Sequence, residues 1–117
     1  MTVEDFRRIA LSMPQATEGA HMGHPDFRVK GKIFATLFDR DDEDLGMVKL
    51  APEQQHQFVQ VNPEMFAPIK GGWGIRGATQ VRLDNAHETT LRSAMITAWR
   101  NIAPKRLIKE HDQTDEK

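Results

Sequence analysis

Residues 26–38 read DFRVKGKIFATLF, two β-type runs flanking Lys30-Gly31, a loop of the two-residue hairpin length. Gly31 can take the positive φ that such a turn demands. Alternation along the two runs predicts Phe27, Val29, Phe34 and Phe38 on one face of a sheet, with Arg28, Lys30 and Lys32 left at the rim and tip. A hairpin anchored by phenylalanine and tipped with cations has the form of a nucleic-acid wing. Lysine at an exposed edge also blocks sheet-to-sheet aggregation, so the same residues fit a solubilised edge.

On the N-terminal side, Phe6, Ile9, Ala10 and Met13 recur at helical spacing over residues 3–13, with Thr2 as N-cap, Asp5 three residues later and Pro14 as the stop. A short extended piece is expected around residues 20–22. Beyond the hairpin, residues 39–44 form an acidic loop and residues 45–50 (LGMVKL) a strand with Met47 and Val48 on opposite faces. Pro52 suits a helix first turn, and residues 53–61 supply the rest, Phe58 and Val61 facing inward. Residues 65–70 begin a second hairpin whose loop is Gly71-Gly72-Trp73-Gly74, and residues 79–83 alternate as a half-buried strand. Asn85 and Glu88 read as a cap pair for a helix striped by Leu91, Ala94, Met95, Ala98, Trp99 and Ile102. Residues 105–109 add a further helical turn after Pro104. The expected fold is a two-layer α+β domain, an antiparallel sheet packed on helices in the order α-β-β-β-α-β-β-α, over residues 1–109. Residues 110–117 contain no apolar side chain and read as a disordered polar tail.

Composition narrows the function. The 117 residues suit one domain, and without cysteine there are no disulfides, thiolate nucleophiles, iron–sulfur clusters or cysteine-bound zinc. Glu4, Asp5, Arg7 and Arg8 stand where a signal peptide needs an apolar run, and no stretch approaches the roughly 18 apolar residues of a membrane span, so the expectation is a cytoplasmic protein that does not enter the membrane. The net charge of −1 hides an uneven distribution: five acids crowd around Arg40 between Asp39 and Asp44, and the remaining 15 basic and 12 acidic residues leave the rest at +3. That balance permits an anionic partner. The acidic run lacks the ligand spacing and central glycine of a calcium loop and reads as solvated.

Motifs for chemistry are few. Gly72-Trp73-Gly74-Ile75-Arg76-Gly77 matches the dinucleotide pattern, but residues 78–83 (ATQVRL) read as a strand, whereas that pattern works only at the N-terminus of a helix. His21 and His24 lie on opposite faces of an extended strand unless a turn joins them, and no third ligand is fixed by spacing. Ser12 and Ser93 sit on helices outside any nucleophile elbow, and the paired carboxylates lack the apolar surroundings that raise a pKa. An enzyme is therefore not expected, nor a metal or other cofactor. Trp73, between Lys70 and Arg76, could stack on a base or wedge into a groove, or could anchor its own loop from beneath. Trp99 reads as core.

Several motifs together resemble the MmcQ/YjbR family of small bacterial proteins: Glu18-Gly19-x-His21, Gly23-His24-Pro25-x-Phe27-x-Val29, Gly31-Lys32-Ile33-Phe34-Ala35, Lys49-Leu50 with Pro52-Glu53-Gln54, Gly72-Trp73-Gly74, Ala98-Trp99-Arg100 and Ala103-Pro104-Lys105. The resemblance spans residues 3–107. It implies a fold similar to the secretion chaperones and a DNA-binding role through two hairpins, a "double wing", with no catalytic residues attached. Carried onto this chain, the wings are the Lys30-Gly31 hairpin and the loop 71–77. The expected DNA contacts are Lys30, Lys32, Lys70 and Arg76 on phosphates and Trp73 on a base. The expected partner is thus DNA, bound weakly and without sequence preference. The alternative is a chaperone-like module that binds a peptide or protein.

Overall fold

Three consecutive hairpins turn on residue pairs whose φ angles are both positive: Met22-Gly23 (52°, 82°), Lys30-Gly31 (53°, 80°) and Asp41-Asp42 (53°, 64°). Positive φ at both central residues is the requirement of the hairpin turn whose twist matches that of its strands. In the computed structural model, which describes residues 1–115, these turns join β1 (Thr17–His21), β2 (His24–Val29), β3 (Lys32–Arg40) and β4 (Glu43–Lys49) into an antiparallel meander. Two further strands, β5 (Phe66–Pro68) and β6 (Ala78–Arg82), complete an antiparallel sheet of order β1-β2-β3-β4-β6-β5. The helices are α1 (Val3–Leu11), α2 (Pro52–Val61), the one-turn α3 (Gly72–Ile75), α4 (Glu88–Ile102) and α5 (Lys105–Asp115), and a single 3-10 turn at Leu83–Asn85 leads into α4. The expected two-layer α+β architecture stands, with an additional strand and two further helices. β1 escapes sequence patterning because it is an edge strand exposed at every position but the half-buried Gly19.

One side of the sheet carries the core. Phe6, Ile9 and Ala10 of α1, Leu91, Met95 and Trp99 of α4 and Leu107 of α5 close on Phe27, Val29, Phe34, Leu37, Val48, Phe66 and Val81. Trp99 is fully buried and its indole N–H donates to the Pro14 carbonyl at 3.0 Å, so its one polar atom is satisfied. Gly46 lets α1 approach β4, since a Cβ there would stand 2.3 Å from the buried Phe6 ring. Thr2 and Asp5 form the expected reciprocal capping box on α1.

Several local expectations are corrected. Phe38 leaves the core face because β3 carries a bulge: Phe27 pairs with Ala35 and Arg28 with Ile33, so Phe34 is an extra residue. Phe34 and Ala35 are both buried, and the later alternation is shifted by one, which turns Phe38 to the opposite side. The acidic run is a tight turn with Asp39 facing Asp44 and Arg40 facing Glu43, a conformation aspartate tolerates. Val61 is exposed, and only Phe58 of that pair packs inward, edge-on to Phe66. Asn85 does not cap α4: its amide donates to the Glu64 carbonyl, and His87 is the N-cap. Glu88 instead bridges Arg8 and Arg92. Glu110 to Asp115 continue α5 instead of forming a tail, held by the Arg100–Asp112 ion pair and by His111 against the Trp99 ring; residues 116 and 117 of the expected tail lie outside the described residues. Among the described residues no helix is long and apolar enough to cross a membrane.

Trp99→Ala should lower the unfolding free energy by about 3–5 kcal/mol, the usual loss on emptying a packed aromatic site. Gly46→Ala should lower it by about 1–3 kcal/mol through overpacking against Phe6. Denaturant titration measures both, and a near-neutral result for either would contradict this core assignment.

Candidate nucleic-acid interface

The helices cover one side of the sheet and leave the other side open. Its side chains alternate with the buried set: Ile33, Thr36, Phe38 and Arg40 from β3, Met47 and Lys49 from β4, and Ala78 from β6. With His21, Ile69 and Trp73 these residues line a groove of about 470 Å³, within the range of small-molecule sites. Phe38 and Arg40 were hidden from strict alternation by the bulge. Lys49 could have been found, since the opposite facing of Met47 and Val48 already puts Lys49 beside Met47.

The five expected contact residues converge on one end of the sheet. Lys30 sits in the β2–β3 turn, Lys32 opens β3, Lys70 precedes α3, Trp73 lies in it and Arg76 caps its C-terminus. In the antiparallel register, the start of β3, the end of β4 and the start of β6 lie at the same end, and β3 and β6 are two strand spacings apart, about 10 Å. The five do not share one face. Lys32 pairs with the buried Val29 and is therefore on the helix side, whereas Trp73 lines the open groove.

Trp73 is 63% exposed, so it is not an anchor beneath its loop. The Arg76 guanidinium lies over the indole at 5.6 Å, and the Arg40 guanidinium over Phe38 at 5.7 Å. The loop that presents Trp73 is firmly held. The Gln55 amide donates to the carbonyls of Gly74 (2.9 Å) and Ala78 (3.0 Å), and the Thr79 hydroxyl donates to the Gly77 carbonyl (2.8 Å). Two of its glycines are required by close approach. A Cβ on Gly74 would lie 1.6 Å from the Ile69 carbonyl oxygen, and one on Gly77, at φ +113°, 1.9 Å from that of Leu50. Gly72 meets nothing within 4 Å. The dinucleotide-like spacing thus reflects backbone packing, and β6 succeeds it as expected.

Not every cation near the groove is available. Asp26, fully buried, accepts two hydrogen bonds from Arg28 at 2.7 and 2.9 Å, in the space that the missing Gly19 side chain leaves open. Hydrogen bonding to Asp26 pushes the Arg28 guanidinium above its ordinary pKa. Arg82 is matched by Glu43 at 3.5 Å. Among the described residues, Lys30, Lys32, Lys49 and Lys70 make no ion pair. His21 and His24 face each other across the Met22-Gly23 turn, but the described residues contain no group of three or more side chains able to hold a metal ion.

A family model described as YjbR matches residues 11–101. The chain belongs to the YjbR family. Among solved structures it is similar to the Deinococcus radiodurans protein DR2400, a protein with a DUF419 domain. The TM-score is 0.72 at 20% identity, over 89% of this chain and 80% of that one, a likeness of fold. Comparison with curated proteins gives no match.

Gly74→Ala and Gly77→Ala should each cost more than about 1 kcal/mol of stability, because the backbone must move to admit the methyl group. Gly72→Ala should stay within about 0.5 kcal/mol of the parent. Melting temperatures of the three variants check this, and equal tolerance at all three positions would contradict the loop geometry.

Proposed function

We propose that this YjbR-family chain is a non-enzymatic DNA-binding domain, acting in the cytoplasm, which grips phosphates with the two loops at one end of its sheet. The observation that carries the reading is how charge is distributed along the strands. Residues 27–38, 45–52 and 65–83, which build most of the open face and its loop end, contain seven basic residues and no acid; Arg28 and Arg82 are matched by Asp26 and Glu43 from outside these segments, which leaves five cations. The acidic turn Asp41-Asp42 lies at the far end of β3, and the strand rises about 26 Å between Lys32 and Arg40. That is about three Debye lengths at physiological salt, so the acids that set the net charge to −1 scarcely weaken the field at the loop end.

On this reading Lys30, Lys32, Lys70 and Arg76 act chiefly by releasing counterions, and Trp73 supplies an exposed ring between two of them. Affinity should be no tighter than about micromolar near physiological salt, in the range of non-specific association. The rival reading, a chaperone-like module for a peptide or protein, draws on the exposed apolar side chains of Met22, Trp73 and Ile75. Lys30, Lys32, Lys49 and Lys70, which make no ion pair among the described residues, favour a polyanion over a neutral peptide.

Fluorescence anisotropy with labelled duplex DNA, across salt concentrations, tests the proposal. Neutralising Lys30, Lys32, Lys70 or Arg76 to Gln should weaken binding to all sequences alike and flatten the log–log salt slope by roughly 0.9 per lost contact. Asp41→Asn should leave the slope unchanged. Absence of binding even at low salt would exclude the proposal and favour the protein-interaction reading.

A further inference from the structure

The groove on the open face is not explained by phosphate contacts at the loops, because its floor is apolar and aromatic. We infer that it receives unpaired nucleobases, so that the domain prefers single-stranded nucleic acid to duplex; this rests on the nucleic-acid reading above and names its substrate class. The groove carries a guanidinium-backed aromatic ring towards each end, Trp73 with Arg76 and Phe38 with Arg40. Phe38 pairs with Leu45 and Lys49 with Ala78, so the two ends are separated by four residues of β4, about 13 Å. Between them lie Thr36 and Met47, with Ile33, Ala78 and the cation Lys49 at the Trp73 end.

Flat rings, apolar floor and flanking cations are the components of single-strand recognition, in which bases stack on aromatic side chains while cations follow the backbone. A duplex keeps its bases stacked on one another and offers none to Trp73. Besides the cations, only Thr36, His21 and the Trp73 indole N–H among the lining groups hydrogen-bond strongly through their side chains, so recognition should tolerate any base.

The groove's position disfavours an extended peptide. Peptides that add to a sheet need a free strand edge. This groove lies over β3, β4 and β6, each paired on both sides, so their main-chain groups are already engaged. Lys30, Lys49 and Lys70, which make no ion pair among the described residues, supply charge complementarity to a phosphate backbone at the Trp73 end of the groove.

The test compares four probes of about twelve units at low salt: a thymidine strand, the matching uridine RNA, an abasic strand, and a duplex. The thymidine strand should bind about tenfold or more tighter than the duplex, with RNA within about threefold of DNA, and the abasic strand should lose that preference. Trp73→Ala should bring the single strand to the duplex level while leaving duplex affinity within about twofold, because the substitution removes stacking and not charge. Single-strand binding should also quench the exposed Trp73 fluorescence, Trp99 being buried. Equal binding of abasic and thymidine strands, equal weakening of strand and duplex by Trp73→Ala, a requirement for the 2′-hydroxyl, or equally potent displacement by polyglutamate would each overturn the inference. Duplex binding that persists in those cases leaves the proposed function standing. Failure of every probe at low salt removes both.

Discussion

Where Phe27 and Arg28 meet β3, three residues of β3 stand opposite two of β2, and the extra one is Phe34. Both surfaces of the sheet depend on this bulge. On the helix side it delivers Phe34 and Ala35 together into the core, beneath α4. On the open side it carries Phe38 and Arg40 out to flank the groove. A strand of period two without the extra residue would bury Phe38 and send Leu37 to the open face. The same nine residues would then bury Thr36 and leave Ile33, Ala35 and Leu37 on the uncovered face.

The second half of the open face is built by close backbone approach. Gly74 and Gly77 let the segment after β5 fold against Ile69 and Leu50, and Gln55 reaches from α2 to tie that segment to the sheet. Trp73 is thereby presented from a restrained loop. A restrained aromatic loses little freedom when it binds, which favours affinity from a small contact area. The long axis of β3 then separates the cationic loop end from the acidic turn, so that a chain of nearly neutral net charge keeps a local positive field.

The sequence made much of this legible, and the exceptions share physical causes. The Lys30-Gly31 hairpin, the α1 capping box, α2 starting at Pro52 and the apolar stripe of α4 follow from local chemistry and are found as expected. Strand β1 was only partly legible, because an exposed edge strand carries no alternating apolar pattern. The facing of Phe38 could not be read, since a bulge is set by pairing between strands and leaves no mark in one strand alone. Arg40 escapes for the same reason, whereas the facing of Lys49 follows from Met47 and Val48, and only which sheet face stays uncovered does not. Residues 110–115 read as polar and unstructured, yet they extend a helix whose anchors, Leu107 and Arg100, lie outside that segment.

The open sheet face and its cationic loop end are proposed to form one nucleic-acid-binding surface. The most direct measurement is an amide chemical-shift titration of the full chain with a short single-stranded oligonucleotide. Perturbations should concentrate on the Lys30-Gly31 turn, Ile33, Phe38, Met47, Lys49 and the segment 69–78, including the Trp73 indole N–H. The Asp41-Asp42 turn and the α4–α5 side should remain unperturbed. Perturbations confined to the helix layer, or none at low salt, would contradict it.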